Sequence, residues 1–273
     1  MAFSWLARSG MERNVARFPS PLDCGGLRVH RDAMEWAAQG LVLAVRAHGE
    51  SAAIVEIFTE AQGRHAGVVR GGMGRRMAPV LMPGNEVAAV WRARLGEHLG
   101  HFTIEPLRAR AAALMTDRRA LAGLSAICAM ISRALPEREP HGGLYAATLV
   151  LLDALATVPD WPVLYLRWEC GLLADLGFGL DLGACAVTGA RDGLAFVSPR
   201  TGRAVTAEAA RGWEDKLLPL PQCLLRPGPA DPADLAAGLR LTGHFLNRGL
   251  CADPGSRPLP EARARLVDLL SRG

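Results

Sequence analysis

The residues best suited to chemistry are arginines around a glycine-rich stretch, Gly63-Arg-His-Ala-Gly-Val-Val-Arg-Gly-Gly-Met-Gly-Arg-Arg76, which contains no acidic residue. A guanidinium keeps its charge near neutral pH and presents a planar fork that fits phosphate oxygens. Glycine lets the backbone turn sharply or lie close to a partner. We therefore interpret Arg70, Arg75 and Arg76 as contacts to a nucleic-acid backbone. The stretch alone fits a solvated turn in an arginine-rich protein equally well.

Four more arginines on neighbouring predicted strands complete the predicted set of DNA contacts: Arg46, Arg64, Arg92 and Arg94. The last two alternate with Ala93, so both side chains point to the same face of a strand. Trp91 points to the other face, and we expect it to belong to the core, as we do Phe58 and Phe102. Few aromatic side chains are then left to stack on bases. We expect binding through phosphates that weakens steeply with salt.

Enzyme and cofactor motifs lack their essential residues. Lys216 is the only lysine and follows Asp215, so there is no Walker A loop. Gly72-Met-Gly74 lacks the third glycine of a dinucleotide site, and no HExxH motif occurs. Ser125 lacks the second glycine of a nucleophile elbow. These absences predict a protein that is not an enzyme and uses no cofactor.

Charge and cysteine content narrow the class of protein further. The 273 residues carry a net charge of +4 and are 50% hydrophobic, which suits a soluble chain of one large or two ordinary domains. Residues 34–112 contain nine arginines and seven acids, a net +2, whereas residues 113–273 are neutral. Six cysteines without a CxxC pair and no secretory signal predict reduced thiols in a cytoplasm. No apolar segment is long enough to span a membrane.

The chain reads as an α+β protein in two parts. We predict strands at 40–46, 52–59, 64–70, 85–94 and 101–108, within an N-terminal domain of residues 34–112. Five short strands fit a small closed barrel such as an OB fold, and an SH3-like barrel would give a similar pattern. Residues 1–33 show no sustained period, and we interpret them as a flexible extension or a gene-model artefact.

Residues 113–273 predict a helical domain with an irregular or β-ribbon insert at about 178–206. The predicted helices run over about 117–135, 143–158, 161–176, from Asp231 or Asp234 to 250, and from 260 to 270. Residues 219–232 are expected to form a loop.

One helix face could bind a partner. Arg240, His244 and Arg248 recur at a spacing of four, and Leu241 and Phe245 lie beside them. A groove with an apolar floor and a basic rim would suit an acidic, hydrophobic peptide tail. An ordinary amphipathic helix with a solvated basic edge would show the same spacing.

Several segments in order along the chain resemble a known family. They are Glu35-Trp-Ala-Ala-Gln-Gly-Leu-Val-Leu43, Gly67-Val-Val-Arg-Gly71, Trp168-Glu-Cys-Gly-Leu-Leu-Ala-Asp-Leu-Gly-Phe178, Cys185-Ala-Val-Thr-Gly189 and Phe196-Val-Ser-Pro-Arg-Thr-Gly202. Over roughly Met34 to Leu270 this order is similar to the RecO family of bacterial DNA repair proteins.

The resemblance implies a recombination mediator with an N-terminal OB fold and a helical C-terminal domain. Such a protein binds single- and double-stranded DNA, anneals complementary strands and works with RecR in the cytoplasm, at the nucleoid. It engages the C-terminal tail of single-stranded DNA-binding protein and helps load RecA onto coated gaps. The alternatives are an OB-fold RNA-binding protein and a scaffold that acts only through protein–protein contacts.

Some members of the family carry a four-cysteine zinc site in the insert. Here Cys185 occupies the first position, but Thr188 stands where the second thiolate would be, and residues 198–206 contain no cysteine. Tetrahedral structural zinc needs four N or S ligands. We therefore expect no metal, with the ribbon held by the packing of Leu194, Phe196 and Val205.

Overall fold

Strand-forming residues build a barrel at the start of the described chain. The computed structural model describes residues 34–95, 98–226, 228–253 and 255–271, so the predicted N-terminal extension lies outside the described residues. The barrel strands are β1 (Met34–His48), β2 (Ala52–Thr59), β3 (Gly63–Val69), β4 (Glu86–Ala93) and β5 (His101–Arg108). Each lies within a few residues of its predicted position, except that β1 begins earlier.

The long first strand closes the barrel. Its N-terminal half pairs with β4, from Met34↔Ala93 onward, and its C-terminal half pairs with β2, up to His48↔Ala52. The closed order is β1-β2-β3-β5-β4, and β3 and β5 are parallel at Val68↔His101. This is a five-stranded OB-type barrel, as predicted.

Two apolar cores lie inside and beside the barrel. Trp91 and Phe102 are 1% and 5% exposed and fill the barrel interior, as predicted. Leu81, from the connection between β3 and β4, plugs the same core. Phe58 is also buried, but it faces outward and packs edge-on against Tyr145 of the helical part at 5.3 Å. The outer face of β2 is therefore where the barrel meets the helices.

Helices follow the barrel. They are α1 (Arg110–Leu114), α2 (Arg118–Ala134), α3 (Gly142–Ala154), α4 (Trp161–Asp175), α5 (Gln222–Leu225), α6 (Pro232–Leu250) and α7 (Glu261–Ser271). Asp117 caps α2 by accepting hydrogen bonds from the amides of Arg119 and Ala120, and Asp231 caps α6. The short helix α5 lies in the segment predicted as a loop. In the part of the chain that the structure describes, no helix combines the length and apolarity needed to cross a membrane.

The predicted β-ribbon is present in the insert. Strands β6 (Leu194–Val197) and β7 (Ala204–Thr206) pair antiparallel, and β8 (Leu218–Pro219) joins the other edge of β6. Leu194 and Val205 are buried, and Phe196 packs against the same helical core, so the predicted apolar packing of the ribbon is confirmed.

Candidate nucleic-acid interface

Backbone pairing aligns a row of exposed and half-buried residues across the outside of the barrel. Arg46 pairs with Ile54, Ile54 with Val68, Val68 with His101, and His101 with Arg92. Directly paired residues point to the same side of a sheet. The row therefore runs over four neighbouring strand pairs on the outer surface, with an arginine at each end.

More arginines lie on either side of this row. Arg70 lies two residues beyond Val68, and Arg94 lies two residues beyond Arg92, so both continue the outward face and both are exposed. Arg75 and Arg76 are exposed in the connection between β3 and β4. We call this surface the basic end, defined by Arg70, Arg75, Arg76, Arg92 and Arg94.

Three connections border the basic end. The amide of Met73 donates to the carbonyl of Ser51 at 3.1 Å, which joins the β3–β4 connection to the β1–β2 turn. The amide of Val68 donates to the carbonyl of Gly100 at 3.0 Å, which brings the β4–β5 loop alongside. OB folds bind oligonucleotides with strands 2 and 3 and with the β1–β2 and β4–β5 loops. The basic end occupies the corresponding surface.

The backbone of the β3–β4 connection requires glycine at two positions. Gly71 has a φ of +67°, in the left-handed region that glycine adopts without strain. A Cβ on Gly72 would lie 2.7 Å from the Cβ of Ala53. Further along, the side-chain amide of Asn85 donates to the carbonyls of Pro79 and Val80 at 2.8 and 3.2 Å. The connection is thus anchored on both sides of the exposed Arg75 and Arg76.

Most guanidinium groups of the basic end are available to an anion. Arg70, Arg75, Arg76 and Arg94 form no ion pair with another described residue. Arg92 bonds Glu35 at 2.8 Å, and both side chains are at least half exposed. Exposed pairs of this kind contribute only about 0–1 kcal/mol, so a phosphate can compete for Arg92.

The structure gives two of the predicted arginines other roles. Arg64 is only 14% exposed in its side chain, and its Nε donates to the carbonyl of Leu135 at 2.9 Å. Its Nη1 lies 3.3 Å from Glu56 and 3.4 Å from Glu137. The prediction of Arg64 as a DNA contact is therefore not supported, because its donors face the helical part. Arg46 bonds Glu56 at 3.0 Å but stays 67% exposed.

Arg138 is a functional candidate that the sequence did not indicate. It follows α2 in a proline-flanked segment, and its amide donates to the carbonyl of Arg64 at 2.8 Å along the edge of β3. Its guanidinium lies 5.9 Å from the centre of the Trp91 ring and donates to the carbonyl of His98 at 2.9 Å. The helical part thus contacts the β4–β5 loop of the basic end directly.

The aromatic side chains nearby are turned inward. The ring of His65 lies 4.6 Å from that of Trp91, and Trp36 stacks on Trp91 at 6.0 Å. His65 is 4% exposed, and neither ring nitrogen bonds to a described residue. Burial, and then the charge of Arg138, lower the pKa of His65 to about 4. The predicted shortage of aromatic stacking on the surface matches this arrangement.

Comparisons with known proteins decide the family. Residues 34–110 match the family model described as Recombination protein O N terminal, and residues 115–258 match Recombination protein O C terminal. The chain belongs to the RecO family.

Curated relatives named DNA repair protein RecO agree. One from Cereibacter sphaeroides is 60% identical over 239 residues, which is 88% of this chain and 100% of the relative. Relatives from Roseobacter denitrificans and a Ruegeria species are 54% and 52% identical, each over 88% of this chain and 99% of the relative. The resemblance inferred from ordered motifs is confirmed, and with it a role in DNA repair. The basic end lies wholly within the N-terminal RecO match.

The structure does not form the predicted tail-binding groove on α6 of this RecO chain. Leu241 and Phe245 are 1% and 5% exposed and belong to the helical core, so a ligand on the surface cannot contact them. Arg248 donates to the carbonyls of Pro199 and Arg200 at 2.7 and 2.6 Å, and His244 contacts the former. The basic edge of α6 therefore holds the ribbon turn, while Arg240 is exposed beside it.

Hydrogen bonds to the thiol of Cys185 help to stabilise the insert of this RecO chain. Within the described ranges, no three potential metal ligands lie together. Cys185 is buried, and its Sγ accepts a hydrogen bond from the amide of Thr206 at 3.4 Å. Burial opposes ionisation, but hydrogen bonds from Thr188 and the backbone outweigh it and lower the pKa of Cys185 to about 6. The sulfur atom of Cys185 thus accepts its hydrogen bonds from groups of the protein itself.

Proposed function

We propose that this RecO chain is a recombination mediator that binds single- and double-stranded DNA at its basic end and anneals complementary strands. The observation that carries the proposal is the gathering of five exposed arginines around the loops of an OB barrel. With RecR, the protein helps RecA load onto gaps coated by single-stranded DNA-binding protein. It acts in the cytoplasm at the nucleoid, and it does so without catalysis and without a cofactor.

Phosphate contacts explain how such a surface can anneal strands. Guanidinium groups hold the backbone by charge and bidentate hydrogen bonds. Trp36, Trp91 and Phe102 are engaged with one another in the barrel, so they do not clamp bases. Bases held only by their backbone keep their pairing edges free. Two strands brought to this surface can therefore pair.

The partner contacts are proposed for the helical part. RecR and the C-terminal tail of single-stranded DNA-binding protein are the partners that family membership supports. Since Leu241 and Phe245 are buried, we do not place the tail on α6. Arg138 supports a link between partners and DNA, because it joins the helical part to the β4–β5 loop.

Strand annealing with and without single-stranded DNA-binding protein tests the proposal. Wild-type protein should accelerate annealing of complementary oligonucleotides in both conditions. Arg75→Glu with Arg76→Glu should abolish most of the acceleration. The matched control is Arg191→Glu with Arg211→Glu, which makes the same charge change at exposed positions of the helical part and should leave annealing intact.

The same oligonucleotides separate the alternatives. Absence of DNA affinity at low salt would contradict the mediator proposal and favour a scaffold. Tighter binding of oligo(U) than of oligo(dT) would favour an RNA-binding OB protein.

A further inference from the structure

Large apolar side chains stand exposed among the arginines of the basic end. Met73 is 49% exposed, Leu95 50% and Leu99 39%. Met73 lies between Arg70 and Arg75 in the chain, and Leu95 directly follows Arg94. We call these three residues the apolar triad.

The backbone holds each member of the apolar triad at the surface. Met73 follows Gly72, which packs against Ala53, and the Met73 amide bonds Ser51. The carbonyl of Leu99 accepts a hydrogen bond of 3.1 Å from the indole of Trp91. The carbonyl of Leu95 accepts from the amide of His98 at 3.1 Å. The backbone of each residue is thus hydrogen-bonded while its side chain stays exposed.

Leu99 and Met73 are spaced along β3, on either side of Val68. The amide of Val68 bonds Gly100, the neighbour of Leu99, whereas Met73 follows the far end of the strand, five residues after Val68. The exposed arginines lie along the same strands and their connections. A ligand that fits this surface must offer both negative charge and apolar faces.

A single strand of DNA offers both. Its phosphates match the guanidinium groups, and every base has an apolar face that can be covered. Leucine and methionine are among the side chains that proteins place against or between bases. The aromatic side chains near this surface are engaged with one another inside the barrel, so aliphatic side chains are left to contact bases.

We propose that Met73, Leu95 and Leu99 contact the bases of single-stranded DNA held at the basic end. The inference rests on the proposed function, since it presumes that DNA binds there. The contact supplies a part of the affinity that does not depend on salt or on base identity. It also favours single strands over duplex, in which base faces are stacked on one another. Because aliphatic contacts are weaker than stacking between rings, a base can leave to pair.

An oligonucleotide without bases is the direct probe. Affinity would be measured by fluorescence anisotropy for labelled oligo(dT) and for an abasic oligomer of equal length, at several salt concentrations. The variant is Met73→Ser with Leu95→Ser and Leu99→Ser. We expect about five- to tenfold weaker binding of oligo(dT), from loss of apolar burial, and unchanged binding of the abasic oligomer. The salt slope should not change.

Control variants keep the experiment interpretable. Met115→Ser with Val187→Ser removes apolar side chains that are 56% and 72% exposed elsewhere, and it should bind oligo(dT) like wild type. Thermal unfolding of each variant checks that the barrel is intact, and Leu95→Ser alone serves if the triple variant does not fold. That single variant should still bind oligo(dT) more weakly than wild type and bind the abasic oligomer as wild type does.

The outcomes distinguish the inference from the proposed function. Unchanged oligo(dT) affinity in the triad variants, or equal loss for both oligomers, would overturn the base contact while wild-type DNA binding stood. An apolar triad that serves a protein partner would give the first of these results. Failure of wild-type protein to bind either oligomer would instead overturn the proposed function.

Discussion

Arg64 in β3 and Glu56 in β2 form an ion pair of 3.3 Å that faces the helical part of the chain. The hydroxyl of Ser132 in α2 donates to the same carboxylate at 2.6 Å. Glu56 is 10% exposed in its side chain, and Arg46 bonds its other oxygen. The guanidinium of Arg64 thus connects the barrel to the helices.

Loss of Arg64 should destabilise the protein. Arg64→Ala leaves the carboxylate of Glu56 and the carbonyl of Leu135 with fewer donors, and breaking a buried pair costs about 3–5 kcal/mol. Arg70→Ala, at an exposed position just beyond the other end of the same strand, should change the free energy of unfolding by less than about 0.5 kcal/mol. Urea denaturation measures both values. Equal effects would show that the Arg64 network adds no stability.

A second buried pair should stabilise the helical part. Glu169 in α4 is 0% exposed and bonds Arg263 of α7 at 2.7 and 2.9 Å, while Tyr165 and Thr242 also donate to it. Glu169→Gln should lower the free energy of unfolding by about 3 kcal/mol or more.

The matched control for Glu169 is Glu261→Gln. It breaks an exposed i,i+4 pair with Arg265 and should cost about 0.5 kcal/mol or less. Comparable losses in the two variants would contradict the importance of the buried network.

His65 should make the barrel sensitive to acid. Its pKa of about 4 in the folded protein lies below the ordinary value of 6.5, so the unfolded chain binds the proton more readily. The free energy of unfolding should therefore fall as the pH drops below 6.5, until the pH reaches about 4. Between about pH 7 and pH 5 the histidine should account for about 2 kcal/mol of lost stability. His65→Phe should remove that part, and a pH dependence identical to wild type would contradict the assignment.

Two substitutions of Arg138 separate the effect of its backbone conformation on stability from the effect of its side-chain contacts. Its φ is +66°, which is costly for any residue except glycine. Arg138→Gly and Arg138→Ala both remove the guanidinium from Trp91 and His98, but only glycine relieves the backbone. The glycine variant should be the more stable by about 1 kcal/mol. Both variants should show faster amide exchange at Gly100 and His101, and unchanged exchange would argue against support of the β4–β5 loop.

Local patterns were sufficient to predict most of the fold. Alternating apolar residues predicted all five barrel strands. Asp117 marked the start of α2, and Asp231, one of two candidates with Asp234, caps α6. Alternation also placed Trp91 in the core and Arg92 and Arg94 on the surface. These features depend on residues close in sequence.

The errors came from contacts between residues far apart in sequence. Arg64 and Arg70 look alike in sequence, but a segment 71 residues away covers the first and leaves the second exposed. Leu241 and Phe245 showed the right helical spacing for a groove, but the neighbouring helices had already buried that face. Arg138 escaped notice because its partners lie in β3 and the β4–β5 loop.

The salt dependence of single-stranded DNA binding tests the role of the basic end most directly. Wild-type protein and the Arg75→Glu, Arg76→Glu variant would be titrated with labelled oligo(dT) across several salt concentrations. Affinity should fall steeply with salt in wild type, and the variant should bind weakly, with a slope smaller by at least about 1.4, since each phosphate contact on a single strand contributes about 0.7. Unchanged affinity and slope, in a variant that unfolds like wild type, would contradict DNA binding at the basic end.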